Sequence, residues 1–273
     1  AMAVSGAAVN PSAGCGGEGV TRNTLMSMLM GLLNLRLGYW SLNPALKKLP
    51  WPIGEPNHWT PGLWELVNRS RLCEDRRFLQ LSDGGHFENL GLYELVRRKL
   101  KVIIVCDGAA DPNYSFSDLA NAIEKIRVDF GALVSIDSAA LQRLVPRPKD
   151  EDSDDPEAER FAKTGYLITD LIYEDNTRGR LIYLTTTFFE RLSADLYGYR
   201  REHPEFPDEP TSDQFFDEKQ FEAYRELGYS IALEMMCDPA VGKDPVIADF
   251  FPFHDEHCRK REELRQKATP PPR

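Results

Sequence analysis

Cysteine and histidine are both scarce in this chain, five of each, and neither forms a metal motif: Cys-x-x-Cys and His-Glu-x-x-His are absent. That removes the common structural-zinc and zinc-hydrolase arrangements. Cys15, Cys73, Cys106, Cys237 and Cys258 are odd in number and not closely paired, which favours free thiols and a reducing compartment over a disulfide framework. Clustered positive charge is also lacking. Against 43 acidic residues stand 33 scattered Lys and Arg, a net charge of −10, so nucleic acid is not expected as a partner, because phosphate contacts need grouped cations. No apolar run reaches the about 20 residues needed to cross a bilayer. The run from Leu25 to Leu35 is broken by Ser27 and Asn34 and stopped by Arg36. The first residues are small and uncharged, so no secretory leader is expected.

What is present is enough apolar material, 42% of residues, to bury a sizeable core. Phe78–Leu81 and Val102–Cys106 read as strands, Asn89–Lys99 as a helix, and Ser117–Asp129 as a helix with Leu119, Ala122, Ile123 and Ile126 on one face. Gly165–Glu174 and Arg180–Thr186 read as strands joined by the turn Asp175–Gly179, a hairpin signal. Phe188–Tyr199 and Asp217–Met236 read as helices, and Thr24–Leu37 as a further one whose leucines suit either a core or a lipid-facing surface. Residues 39–62, with Tyr39, Trp40, Trp51, Trp59 and several prolines, read as irregular packing. The alternation predicts the α/β class.

The segment Leu79-Gln80-Leu81-Ser82-Asp83-Gly84-Gly85-His86-Phe87-Glu88-Asn89-Leu90-Gly91 carries the chemistry. It puts a carboxylate at a strand end, followed by two residues without side chains, where another group can approach closely. Asn89 is placed to cap the following helix. Together with Leu92–Arg98, Val102–Cys106 and Asp107-Gly108-Ala109-Ala110-Asp111-Pro112, this stretch resembles the patatin-like phospholipases and the cytosolic phospholipase A branch. Upstream, Ser5-Gly6-Ala7-Ala8-Val9-Asn10-Pro11 resembles the Ser-Ala-Ala-Pro block of that superfamily, and downstream Phe206–Gly228 resembles the tail of its large bacterial members.

The resemblance implies a Ser/Asp dyad acting on lipid carboxylic esters, with Asp83 as general base and Gly84, Gly85 and Asn89 supporting its turn. It implies a patatin-like sheet flanked by helices, present in part, with an added β-hairpin and a helical carboxyl-terminal region. No cofactor and no metal is implied. A carboxylate with a reference pKa of about 3.9 is a weak base at neutral pH, so preorganised donors around the developing oxyanion must carry much of the acceleration. The family's nucleophile elbow, Gly-x-Ser-x-Gly, is absent: Ser5 lies in Ala3-Val4-Ser5-Gly6-Ala7, and Pro11 interrupts the helix that should follow. The nucleophile is therefore expected upstream, in a serine-bearing segment of the same protein.

On this reading residues 1–145 form the carboxyl-terminal half of a catalytic domain, 146–160 an acidic flexible loop, 161–253 a hairpin and helix extension packed on the same unit, and 254–273 a charged tail. Phe78–Leu81 and Val102–Cys106 should share one sheet, with Asp83 at its rim and an edge or apolar face left open by the upstream half. The expected partners are a lipid or other ester substrate and a membrane surface, at a cytoplasmic location or the cytoplasmic face of a membrane. The alternative is a non-catalytic binding or assembly domain that keeps the fold. Three further groups are weighed: Asp107 as a phosphoryl-transfer aspartate at a strand end, Asp83, His86 and Glu88 as metal-ligand types, and His254, His257 and Cys258 likewise. None has the supporting motif. Asp150–Asp155 reads as a solvated charge run.

Overall fold

The computed structural model describes residues 25, 29–30, 32–33, 38–44, 78–148, 159–210, 215–247 and 258. The chain divides into two units, Ala1–Asn89 and Leu90–Arg273. Ser5–Pro11, Cys15, Trp51, Trp59, Cys73, Asp150–Asp155, Thr211–Gln214, His254 and His257 lie outside the described residues. Of the helix read over Thr24–Leu37, Leu25, Leu29, Met30 and Leu32 are described, and they are helical.

In the first unit β1 (Tyr39–Leu42) pairs antiparallel with β2 (Phe78–Leu81), Tyr39 opposite Leu81 and Leu42 opposite Phe78. Trp40 is buried. A short 3-10 turn, Gly84–His86, follows β2 after Ser82 and Asp83.

The second unit is built on a four-stranded sheet in the order β3–β8–β7–β4: β3 (Val102–Asp107), β8 (Arg178–Thr185), β7 (Tyr166–Ile172) and β4 (Leu133–Val134). β3 runs parallel to β8, while β7 and β4 are each antiparallel to their neighbours. The hairpin β7–β8 forms where expected, closed by Asn176 with φ of 61° and by Tyr173 N–H donating to Thr177 O. β8 is buried over almost its whole length, so it belongs at the centre, covered on both faces. Alternation decides which side chain goes where. Leu181 and Tyr183 pack with Ile103, Val105, α1 (Leu92–Arg97) and α2 (Ser117–Phe130), and Ile182 and Leu184 with α4 (Ala194–Glu202) and α5 (Glu218–Met236).

The pairings correct an expectation. Among the described residues β2 and β3 do not share a sheet: β2 pairs with β1, and β3 with β8. β3 is an edge strand among the described residues, with Cys106 exposed and Ile104 44% exposed.

Local chemistry sets the ends of the elements. α1 is shorter than Asn89–Lys99, because Gly91 precedes it at φ of 69° and Lys99 lies just beyond it at φ of 53°, both outside helical geometry. α2 buries Leu119, Ala122 and Ile126 as its spacing demands. α3 (Ser138–Gln142) is capped by Asp137, α5 by Asp217 accepting from Gln220 N–H, and α6 (Pro239–Lys243) by Asp238. The helix expected from Phe188 starts only at Ala194. Phe188 and Phe189 are buried in an extended segment, where Phe188 O accepts from Ala162 N–H at 2.8 Å. A separate two-stranded sheet joins β5 (Arg147–Pro148) to β6 (Arg160–Phe161).

Two glycines permit close approaches. A Cβ on Gly179 would stand 2.9 Å from Lys101 O, where β8 passes the chain entering β3, and one on Gly165 would stand 2.6 Å from Ile231 of α5.

Cys237, just past α5, is disulfide-bonded to Cys258, which corrects the expectation of free thiols; Cys106 remains free. The two cysteines are 21 positions apart, too far for spacing to announce the bond. With that bond, cysteine usage no longer argues for a reducing compartment. Among the described residues, no helix is long and apolar enough to cross a membrane.

Candidate functional site

β2 delivers Asp83 to the start of the 3-10 turn. Its backbone is still extended, at φ of −61° and ψ of 133°, and its Oδ1 accepts the Gly85 N–H at 2.9 Å. The turn then closes on itself, with His86 N–H donating to Asp83 O and the N–H groups of Phe87 and Glu88 donating to Gly84 O. Asp83 is half-buried. One carboxylate oxygen is thus held by the turn, and the other accepts no hydrogen bond among the described residues.

The two glycines do different work. Among the described residues a Cβ at Gly84 would meet nothing within 4 Å, so they leave this side of the turn open. A Cβ at Gly85 would stand 2.5 Å from Asn89 Oδ1 and 3.3 Å from Asp83 Oδ1. Gly85 is therefore a packing requirement, with Asn89 on one side and the aspartate on the other. Asn89 meets the turn in this way and does not cap α1, whose N-cap is Gly91 with no side-chain bond. The expected capping role is corrected: Gly91 in the left-handed region separates Asn89 from the helix it was to cap.

A pair that the sequence reading passed over lies in the same turn: Ser82 Oγ is 3.1 Å from His86 Nδ1. Ser82 lies just before the 3-10 turn and His86 ends it, so the contact depends on how the turn folds back and no sequence period announces it. Glu88 is buried. Asp83, His86 and Glu88 do not come together as a metal-ligand group.

In the second unit the carboxyl end of β3 carries Asp107, whose Oδ2 accepts from Tyr183 O–H at 2.7 Å and whose Oδ1 accepts from Ala109 N–H at 3.0 Å. Both oxygens are engaged in holding the strand end. Tyr183 is pushed well above the ordinary tyrosine range by burial and by this carboxylate. Beyond it, Asp111 binds the Ser115 hydroxyl and the N–H groups of Ser115 and Phe116, and donates its own N–H to Asp208 at 2.9 Å. Burial raises the Asp208 carboxyl, raises the Tyr114 hydroxyl and lowers the Arg200 guanidinium. Arg200 lies 4.2 Å over the Phe188 ring.

Comparison with protein-family models, with curated proteins and with solved structures finds no match to this chain.

Proposed function

We propose that this chain is the carboxyl-terminal part of a patatin-like serine acyl hydrolase, with Asp83 as general base and the nucleophilic serine upstream, cleaving lipid carboxylic esters. The observation that carries this reading is the posture of Asp83: one oxygen fixed by Gly85 N–H, the other unengaged among the described residues, beside the open side of the turn at Gly84. A base must be held still and reached, and this carboxylate satisfies both conditions. A membrane surface is the natural partner of such an enzyme. Leu25, Leu29 and Leu32 are helical, exposed and spaced for one face, which supports that part of the reading.

In the full-length protein, Asp83→Asn should lower kcat/KM on a short-chain nitrophenyl ester by about 10²–10⁴-fold while the circular dichroism spectrum stays unchanged. Wild-type-like turnover by the folded variant would refute the assignment. The chain by itself should remain unlabelled by a fluorophosphonate probe. A second reading rests on the Ser82–His86 contact, a hydroxyl within reach of a base. Stoichiometric labelling that disappears in Ser82→Ala would move the nucleophile into the turn itself.

A further inference from the structure

α4 ends at Glu202, and His203 turns the chain out of it, donating its N–H to Tyr199 O at 2.8 Å. Two turns follow, with Phe206 N–H donating to His203 O at 3.0 Å and Asp208 N–H donating to Glu205 O at 2.7 Å. Between them Phe206 is buried, its ring edge-on to Tyr199 and to Tyr224 with centroids 5.1 and 5.0 Å away. This anchor pins the backbone on both sides. One donor atom from each of His203, Glu205 and Glu209 then falls within 4.8 Å of the other two.

Glu209 supplies an independent observation. Its Oε1 accepts the Tyr199 hydroxyl at 3.0 Å, but its Oε2 is sealed from solvent and makes no hydrogen bond among the described residues. The Tyr224 hydroxyl stands beside the same carboxylate, where it accepts the Glu209 N–H at 3.3 Å without reaching Oε2 in bonding geometry. A buried carboxylate oxygen without a donor is costly, and a cation is a partner that needs no hydrogen. Tyr199 also stacks on the His203 ring, with centroids 4.3 Å apart and planes 19° apart. One tyrosine thus orients two of the three donors, as a supporting residue behind a metal ligand does.

We propose that His203, Glu205 and Glu209 bind one divalent transition-metal ion, with zinc as the reference ion. One imidazole nitrogen and two carboxylate oxygens suit zinc and its first-row neighbours better than an all-oxygen ion such as calcium or a thiolate-bound ion. Three protein donors leave a coordination position for water or a ligand. Donors on one metal, with bonds of about 2.0–2.1 Å, stand within about 4.2 Å of one another. Closing on the ion therefore takes a small side-chain adjustment, which exposed Glu205 can make. The site uses no residue of the Asp83 turn.

The test is calorimetric titration of the whole chain with zinc chloride in a non-coordinating buffer. One equivalent should bind, and His203→Ala, Glu205→Gln and Glu209→Gln should each weaken it by at least about tenfold, the lower limit seen even for residues behind the ligands. His86→Ala should leave it intact. Glu205 is exposed, so its variant keeps the test valid even if the other two disturb folding. Absence of zinc binding, unchanged affinity in Glu205→Gln, or loss of the equivalent in His254→Ala instead would overturn the proposal.

Discussion

The Asp83 turn and the sheet of the second unit are held in contrasting ways. In the turn, Gly85 is tied to Asp83 two residues away and Ser82 to His86 four residues away, and no residue of Gly84–His86 is buried. In the sheet, Val102 pairs with Arg180, and Leu181 and Ile182 are sealed between helices on opposite faces. Local bonds fix a geometry but stabilise it little, since each contributes about 0.5–1.5 kcal/mol net. Long-range burial contributes the stability and leaves its residues no access to a substrate. The group proposed for chemistry lies in the first kind of structure, as expected of a residue that must be both positioned and reached.

Four substitutions sharpen or break that contrast. Leu181→Ala, at the fully buried centre of β8, should lower stability by about 2–5 kcal/mol in urea denaturation; a loss under about 1 kcal/mol would mean that the sheet core is not what holds the second unit. Gly179→Ala should cost about 1–3 kcal/mol, because the new Cβ meets the backbone carbonyl of Lys101, which no side-chain rotation relieves. Ser82→Ala should cost no more than about 1.5 kcal/mol. A cost equal to that of Leu181→Ala would erase the distinction between the two regions.

The smallest effect is a change of pH dependence, at Asp208. Burial raises its folded pKa above the unfolded value, so its contribution to stability is fully present below the unfolded pKa and is lost as pH rises through the folded one. Asn at this position keeps an oxygen for the Asp111 N–H and has no charge to bury. Asp208→Asn should therefore match the wild type in acid and exceed it near neutral pH, as read from urea midpoints across the range. A variant less stable than the wild type near neutral pH would show that the charged form is favoured there.

Much of the second unit was legible in the sequence, because its signals are local and periodic. Leu119, Ala122 and Ile126 announce α2, Asp217 announces the start of α5, and the apolar runs on either side of Asp175–Gly179 announce the hairpin. The mixed α/β class follows from these elements. Asp83 at a strand end was legible for the same reason. Pairings between distant segments were not: β1 with β2, β3 with β8, and Cys237 with Cys258 depend on where the chain returns. Asn89 was misread because Asn and Gly both end or begin helices, and the left-handed Gly91 two residues later took the position. His203, Glu205 and Glu209 lie beyond α4 among turns and not in a strand or helix, so their spacing alone announces nothing, and the turns around buried Phe206 bring them together.

The placement of the β7–β8 hairpin at the middle of its sheet has a kinetic meaning. Its strands are neighbours in sequence and close a short loop, so they can meet within microseconds, whereas β3 must wait for the chain through α2 and β4 to be gathered before Val102 finds Arg180. The hairpin is thus the natural nucleus and β3 a late arrival. Weakening Leu171 or Leu181 should slow refolding, while truncating Ile103 should chiefly hasten unfolding.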